Sequence, residues 1–486
     1  MRRMTTMRRG TIVGILAAVG EVSSLWAGPA HAAVPGITGP TFNLIASADY
    51  ISQPDGASIY SWGYGCDGSP AGFAPFDGNC PQMQLPGPTL IVTEGDTVTV
   101  RLRNNLPPAA GNTSIVFSGF QVKTNGTGVP GLLAREAANG ADVTYTFTAT
   151  RPGTYAYHSG TQADLQIEMG LFGAIVVRPA NPPATCKAKN KFSLAAAAYD
   201  HPATCYDREY MFQMSEIDSR IHNQVLAQVQ ACTVGPCPRI VARTEPYRPN
   251  YYLLNGRSMP DVMETSYAPN YAHQPYNANP HMHPGELVLM RIIGQGRWQH
   301  PFHFHGNHAR VLARDGNLLL SAADNSSLAG PLLFTTPTVS GQTVDQIFTW
   351  TGKGLNWDVY NHKRTDNPPV PCVPDANGYH SVAGSANYGE WCADHLKPIP
   401  VTPPDPTIVA IGQWYGGTPY LGLQNAGGFT NTNEPPGTLN QNPQAGYAYM
   451  WHSHNEREIT TNNVFPGGML SMLLIDPPSW FIDETL

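Results

Sequence analysis

Apolar and polar residues alternate with a period of two along much of the chain. In Thr97-Val98-Thr99-Val100-Arg101-Leu102-Arg103, Val98, Val100 and Leu102 fall on one side and the polar residues on the other. That is the signature of a half-buried strand, because successive side chains on a strand point to opposite faces. The run Thr89–Val92 precedes it across Glu94-Gly95-Asp96, a turn sequence. Thr144–Thr148 alternates in the same way, and Thr154–His158 and Gly173–Val177 follow the Arg151-Pro152-Gly153 turn. The pattern predicts an all-β unit from about Val34 to Pro179, closed by the proline-rich linker Asn181–Ala184. A second β-rich unit runs from about Lys191 to Pro478, with strands expected at Tyr251–Leu254, Glu286–Ile293, Ala309–Ala313 and Ile347–Thr351. One helix is expected near Arg220–Ala231. A long stretch rich in Pro, Gly, Asn and aromatic residues occupies about 352–444, and loops of that length are usually functional or stapled by a disulfide. The division is therefore residues 33–180 and 190–486, two β units with an insertion in the second.

Composition fits many turns between short strands. The 486 residues include 48 Gly and 45 Pro, and only 13% are charged. A formal charge of −7 gives no basic surface for nucleic acid. Residues 1–32 read as a signal peptide: Arg2, Arg3, Arg8 and Arg9 precede a weakly apolar run, and Ala30-His31-Ala32 offers a small-x-small cleavage site. Arg8-Arg9 admits a twin-arginine signal beside the Sec route, and the expected location is secreted or periplasmic. The apolar run is too short to span a bilayer, and no membrane span is expected elsewhere. Eight cysteines, at 66, 80, 186, 205, 232, 237, 372 and 392, form four close sequential pairs. In an exported chain an even count argues for disulfides.

The chemistry lies in two histidine motifs. The first is His300-Pro301-Phe302-His303-Phe304-His305-Gly306-Asn307-His308, the second Trp451-His452-Ser453-His454, followed by Pro466-Gly467-Gly468-Met469. On a strand, His303 with His305 and His452 with His454 each present two imidazoles to one side. Two such pairs on neighbouring strands make a four-histidine cage, a donor set suited to copper, zinc, iron or nickel. His281, His283 and His308 read as loop residues and Met469 as core packing. Glu456 and Glu458 read as loop carboxylates able to hydrogen-bond an imidazole. Trp357, Trp391, Trp414 and Tyr415 either cap a pocket or pack the long loop.

Taken together, Gln84-Leu85-Pro86-Gly87-Pro88-Thr89 with Glu94-Gly95-Asp96, Tyr157-His158-Ser159-Gly160 ahead of Met169–Gly173, the His300–Gly306 motif and His452–Met469 resemble the multicopper oxidases. The resemblance implies tandem cupredoxin-like Greek-key β-barrels of the two-domain branch. It further implies a homotrimer with copper between the first domain of one chain and the second domain of another. In that family a cysteine stands between the last two histidines and binds the blue type 1 copper. Here the position is Ser453, and a hydroxyl is no substitute for the soft thiolate of such a site. The histidine expected four residues after His454 is Glu458. The first domain reads Ile115–Phe120 where the family has His-Trp-His-Gly, and of its next pair only His158 remains.

The expected metal ligands are therefore His303, His305, His452, His454 and His158, with copper as the cofactor and zinc as the alternative. The leading expectation is a copper-dependent oxidoreductase with a mono- or dinuclear histidine site acting on O2 or a small oxidisable substrate. A non-catalytic copper-binding protein for storage, delivery or envelope protection is the alternative. A scaffold holding zinc or nothing is the third.

Overall fold

The computed structural model describes residues 34–74, 77–186, 196–356 and 446–476, with shorter stretches between 358 and 433 and Ile482. The expected signal peptide and Trp357 lie outside the described residues.

Most of the described residues form two β-sandwiches. In the first, a five-stranded sheet in the order Ser58–Cys66, Thr41–Ser52, Thr97–Asn104, Asp142–Thr148, Lys123–Thr124 faces a six-stranded sheet. Gly153–His158 and Phe172–Arg178 are neighbours in that second sheet. The alternation that predicted these strands is the burial pattern itself: Val98, Val100 and Leu102 are at most 1% exposed and pack with Val143, Tyr145 and Phe147. The turn before Thr97 is closed by Gly95, whose positive φ of 90° suits glycine, and by Thr93 N donating to the Asp96 carboxylate at 2.8 Å.

The second sandwich pairs a sheet built on Arg208–Ile217, Leu287–Gly294 and Thr343–Thr349 with one built on Leu470–Ile475, Gly446–Ser453 and His300–Phe304. Its core is aromatic, with Phe212, Phe302, Phe304, Phe348, Tyr449 and Trp451 all buried. Polar contacts join the sandwiches. Thr154 Oγ1 donates to Asp345 at 2.5 Å, and Gln295 Nε2 to the Gly173 carbonyl at 2.9 Å.

Two expectations shift. The strand placed at Ile347–Thr351 spans Thr343–Thr349 and begins four residues earlier. The whole strand Arg208–Ile217 has no counterpart among the sequence expectations. Both hide polar residues inside a sheet. Asp345 and Gln346 are at most 2% exposed, and Arg208 meets Glu286 at 2.6 Å with both side chains buried. The helix spans Ser219–Ala231 and is capped by Asp218, whose carboxylate accepts from Arg220 N at 3.2 Å. All four cysteine pairs, Cys66–Cys80, Cys186–Cys205, Cys232–Cys237 and Cys372–Cys392, are disulfides.

Candidate metal centre

Two adjacent antiparallel strands build the centre. His300–Phe304 pairs with Gly446–Ser453 so that Phe302 faces Ser453, His303 faces His452 and Phe304 faces Trp451. Alternation then sorts the side chains. His300, Phe302, Phe304, Trp451 and Ser453 turn into the sandwich and are at most 1% exposed. His303 and His452 turn outward, and His305 and His454 continue each row just past the strand ends.

The four imidazoles meet on that outer face. Donor nitrogens of His303, His305 and His452 lie within 4.8 Å of one another. The Nε2 atoms of His305 and His452 are 3.2 Å apart. The ring of His454 has its centroid 4.7 Å from that of His303 and 5.5 Å from that of His452. Neighbours aim the rings. His452 Nδ1 contacts the Ser453 carbonyl at 2.7 Å, which holds the proton on Nδ1 and leaves the Nε2 lone pair facing the cluster. His303 Nδ1 contacts Thr335 Oγ1 at 2.6 Å, and His454 Nδ1 lies 3.3 Å from the exposed Glu456 carboxylate. Burial, reinforced by the neighbouring imidazoles, pushes His303 down to about 4, and burial also lowers His452. Both are thus neutral at physiological pH, the form that binds metal. Neutral imidazoles converging here, with the exposed Glu456 carboxylate at the rim beside His454, are a donor set that fits a copper ion.

A cavity of about 710 Å³ opens onto this cluster, lined among others by His303, His305, His308, Phe334, Trp350 and Tyr379. His308 is exposed on a loop with its ring 5.1 Å from Phe334. The Trp391 ring packs on Tyr379 at 5.2 Å, so this part of the long insertion reaches the cavity wall.

His158 stands apart from this group. It ends the strand Gly153–His158 in the first sandwich, half-buried, with Nδ1 3.0 Å from the Ser159 carbonyl. His281 bonds the Asp476 carboxylate at 2.8 Å and His283 that of Glu286 at 3.0 Å. Met469 is buried in the core.

The inner face of the same two strands holds a site that sequence reasoning missed. His300 Nε2 lies 2.9 Å from Glu216 and Nδ1 2.9 Å from Glu458, with all three side chains fully buried. Ser453 Oγ donates to the same Glu458 oxygen. Glu458 is thus no solvated loop carboxylate; Glu456, at 81% exposure, is one. Burial pulls the His300 imidazole down, but the two carboxylates outweigh it and raise it to about 9. The one sequence signal was the placement of His300 and Ser453 on the inward parity of their motifs.

Two segments match family models described as multicopper oxidase, residues 81–182 and residues 243–342. The chain is similar to copper resistance protein A of Pseudomonas syringae pv. tomato, 41% identical over 98 residues, which is 20% of this chain and 15% of that protein. It is similar to multicopper oxidase MCE of Talaromyces pinophilus, 39% identical over 98 residues, again 20% and 15% of the two lengths. These matches therefore span only about a seventh of the relatives' length. Among solved structures, a blue copper oxidase from Nitrosomonas europaea is 17% identical with a TM-score of 0.47, covering 90% of this chain and 85% of that one.

Proposed function

We propose, from the premise that this chain is a multicopper oxidase family member, that it is an exported copper-dependent oxidoreductase with one histidine-ligated copper centre and no type 1 copper. The observation that carries the reading is the outward cluster of His303, His305, His452 and His454 at the mouth of a cavity. These four residues would hold a mono- or dinuclear site, copper in preference to zinc. Bound there, copper supplies one-electron redox chemistry to O2 or a small oxidisable molecule.

The residues of the chain account for the rest. The Ser453 carbonyl and Thr335 orient the His452 and His303 rings. Phe334, Trp350 and Tyr379 give the cavity aromatic walls suited to a flat organic substrate. With serine at position 453 there is no thiolate to carry electrons in from a distance, so the substrate has to reach the cluster itself.

His158 enters the proposal through assembly. Leu132 and Leu133 are 93% and 62% exposed, and Leu133 lies beside Gly160, two residues from His158. Phe334, 54% exposed, packs beside His303. Apolar surface next to both histidine positions supports a homotrimer in which His158 of one chain approaches the cluster of another. Sedimentation equilibrium tests this directly, and a monomer at micromolar concentration rejects it.

The deciding experiment is metal analysis after mild purification, followed by O2 uptake with phenolic and metal-ion reductants. Copper-dependent uptake that disappears in His303→Ala/His454→Ala is the expected result. The absent thiolate favours a second reading, a copper-binding protein without turnover. Stoichiometric copper with no uptake across the reductant panel would establish it.

A further inference from the structure

The inner face of strands His300–Phe304 and Gly446–Ser453 is occupied by a closed electrostatic network. A neutral imidazole has one N–H and one lone pair, whereas the cation donates from both nitrogens. Both nitrogens of His300 lie 2.9 Å from a carboxylate oxygen, in the absence of water-exposed surface. A neutral ring would set a lone pair against an ionised carboxylate, so between two ionised carboxylates the ring is held as the imidazolium. The network continues beyond the ring. Glu216 also accepts from Arg297 N at 2.6 Å, Trp298 N at 2.9 Å and Tyr247 Oη at 3.2 Å. The single Tyr247 hydroxyl hydrogen is shared between Glu216 and Glu168, a residue of the first sandwich, whose carboxylate is the nearer at 2.7 Å. On the other side Glu458 accepts from Ser453 Oγ and from Asn455 Nδ2, the latter at 2.9 Å.

We propose that His300 is a positioning residue: as an imidazolium clamped between Glu216 and Glu458, it takes the place of a metal ion on this face and, through Ser453 and Asn455, holds the turn that carries His452 and His454. Five chain segments meet at this cation and its two carboxylates: Arg208–Ile217, the Tyr247 loop, His300–Phe304, Gly446–Ser453 and the turn Glu456–Ile459. Neither imidazole nitrogen of His300 remains for a metal. The inference rests on the histidine cluster being the functional centre.

The charged surroundings set the pH range. Glu216 and Glu458 touch the ring. One bond further, burial lifts Glu168 to about 8, against the lowering hydrogen bonds from Tyr247 and from Asp218 N, and the charge of Glu216 adds to the rise. Arg297 stacks on the Tyr247 ring at 4.2 Å, and Arg457 donates to Tyr252 Oη at 3.1 Å next to the Glu456–Ile459 turn. Raised folded-state values mean that the clamp is intact at neutral pH and is lost as pH rises through about 9, the value for His300.

The test uses full-length apo protein with 15N-labelled histidine. At pH 7.5 one of the 16 histidines should show both ring nitrogens protonated, and its deprotonation near pH 9 should move the resonances of His452 and His454 as well. Neutral-ring shifts for every histidine at pH 7.5, or deprotonation that leaves the cluster resonances in place, would overturn the proposal. In the copper-loaded protein, Glu458→Gln should weaken copper binding about 10- to 100-fold and alter the EPR spectrum without changing stoichiometry. Unchanged affinity and spectrum would overturn it as well. Glu458→Asp, which restores the charge, should recover part of the affinity. Were wild type to bind no copper, the oxidoreductase reading would fall and the apo measurement would still decide the clamp.

Discussion

His300 and His303 are three residues apart on one strand and are held in opposite charge states. His303 faces outward among other imidazoles, with no carboxylate against its ring, and is pushed down to about 4. His300 faces inward between two carboxylates and is lifted to about 9. Odd spacing on a strand places them on opposite faces, and the facing strand repeats the division with His452 outside and Ser453 inside. The comparison shows that burial alone does not decide protonation. His300 is the more buried of the two and is the charged one, because the charge of the neighbours outweighs desolvation.

The largest separation of the two faces should come from paired substitutions. His303→Ala/His454→Ala should abolish stoichiometric copper binding, read by equilibrium dialysis, while the circular dichroism spectrum stays that of a β protein. Glu458→Ala should keep the copper stoichiometry but lose about 3–5 kcal/mol of stability in urea denaturation, the usual cost of breaking a buried ion pair. If the first variant binds copper like wild type, the outer face is not the metal centre.

Colour gives the next test. Without a thiolate the copper-loaded protein should lack the intense band near ~600 nm of a blue site. Ser453→Cys alone should not create the band, because both His300 nitrogens remain committed to Glu216 and Glu458. A blue Ser453→Cys protein would show that the inner network yields readily to a metal.

The two faces should also fail at opposite ends of the pH scale. His303 has a depressed folded value, so stability is lost as pH falls from about 6.5 toward 4, where the unfolded chain takes up a proton that the folded cluster refuses. Bound copper should oppose proton uptake only in the holoprotein. Glu168 and His300 have raised folded values, so their contributions are lost as pH rises, from 4.5 to about 8 for Glu168 and from 6.5 to about 9 for His300. Thermal melts of apo and copper-loaded protein from pH 4.5 to 10 check both signs. An acid limb that copper leaves unchanged would separate His303 from metal binding.

The smallest effect belongs to a control remote from both faces. Cys232→Ala/Cys237→Ala opens a bridge spanning five residues after the helix and should cost about 2 kcal/mol. Copper stoichiometry and the alkaline midpoint should not move. Thiol titration of the denatured wild type should find no free cysteine.

Strands with clean alternation, such as Thr97–Asn104 and Asp142–Thr148, were legible because each has one face in the core and one outside. The strand Arg208–Ile217 was not. It is buried along its entire length, yet carries Arg208, Glu209 and Glu216, whose partners Glu286, Arg291 and His300 are distant in sequence. A local pattern cannot announce that a charge will be neutralised from 80 residues away. The outer histidines were legible for the reason that the inner network was not: each pair sits within three consecutive residues. Glu458 was read as a loop carboxylate able to hydrogen-bond an imidazole; the bond exists, to His300, but the turn gives no sign that it folds back and buries the carboxylate there. His158 was grouped with the other four by resemblance, and the single chain keeps it in the other sandwich.

The outward orientation of the cluster also governs how quickly a bound ion could leave. His454 has a side chain 52% exposed at the rim of the group, so ligand exchange can begin there, one imidazole at a time, with water or a competing chelator entering from bulk solvent. An ion sealed in a protein core must wait for an opening of the fold; an ion held in the proposed cluster would instead be exposed to exchange at the His454 ring. Metal content after purification therefore reads a dissociation rate as much as an affinity. Loading the protein and then following copper release to a chromogenic chelator over minutes to hours would measure that rate. His454→Ala should raise it more than any substitution beneath the sheet.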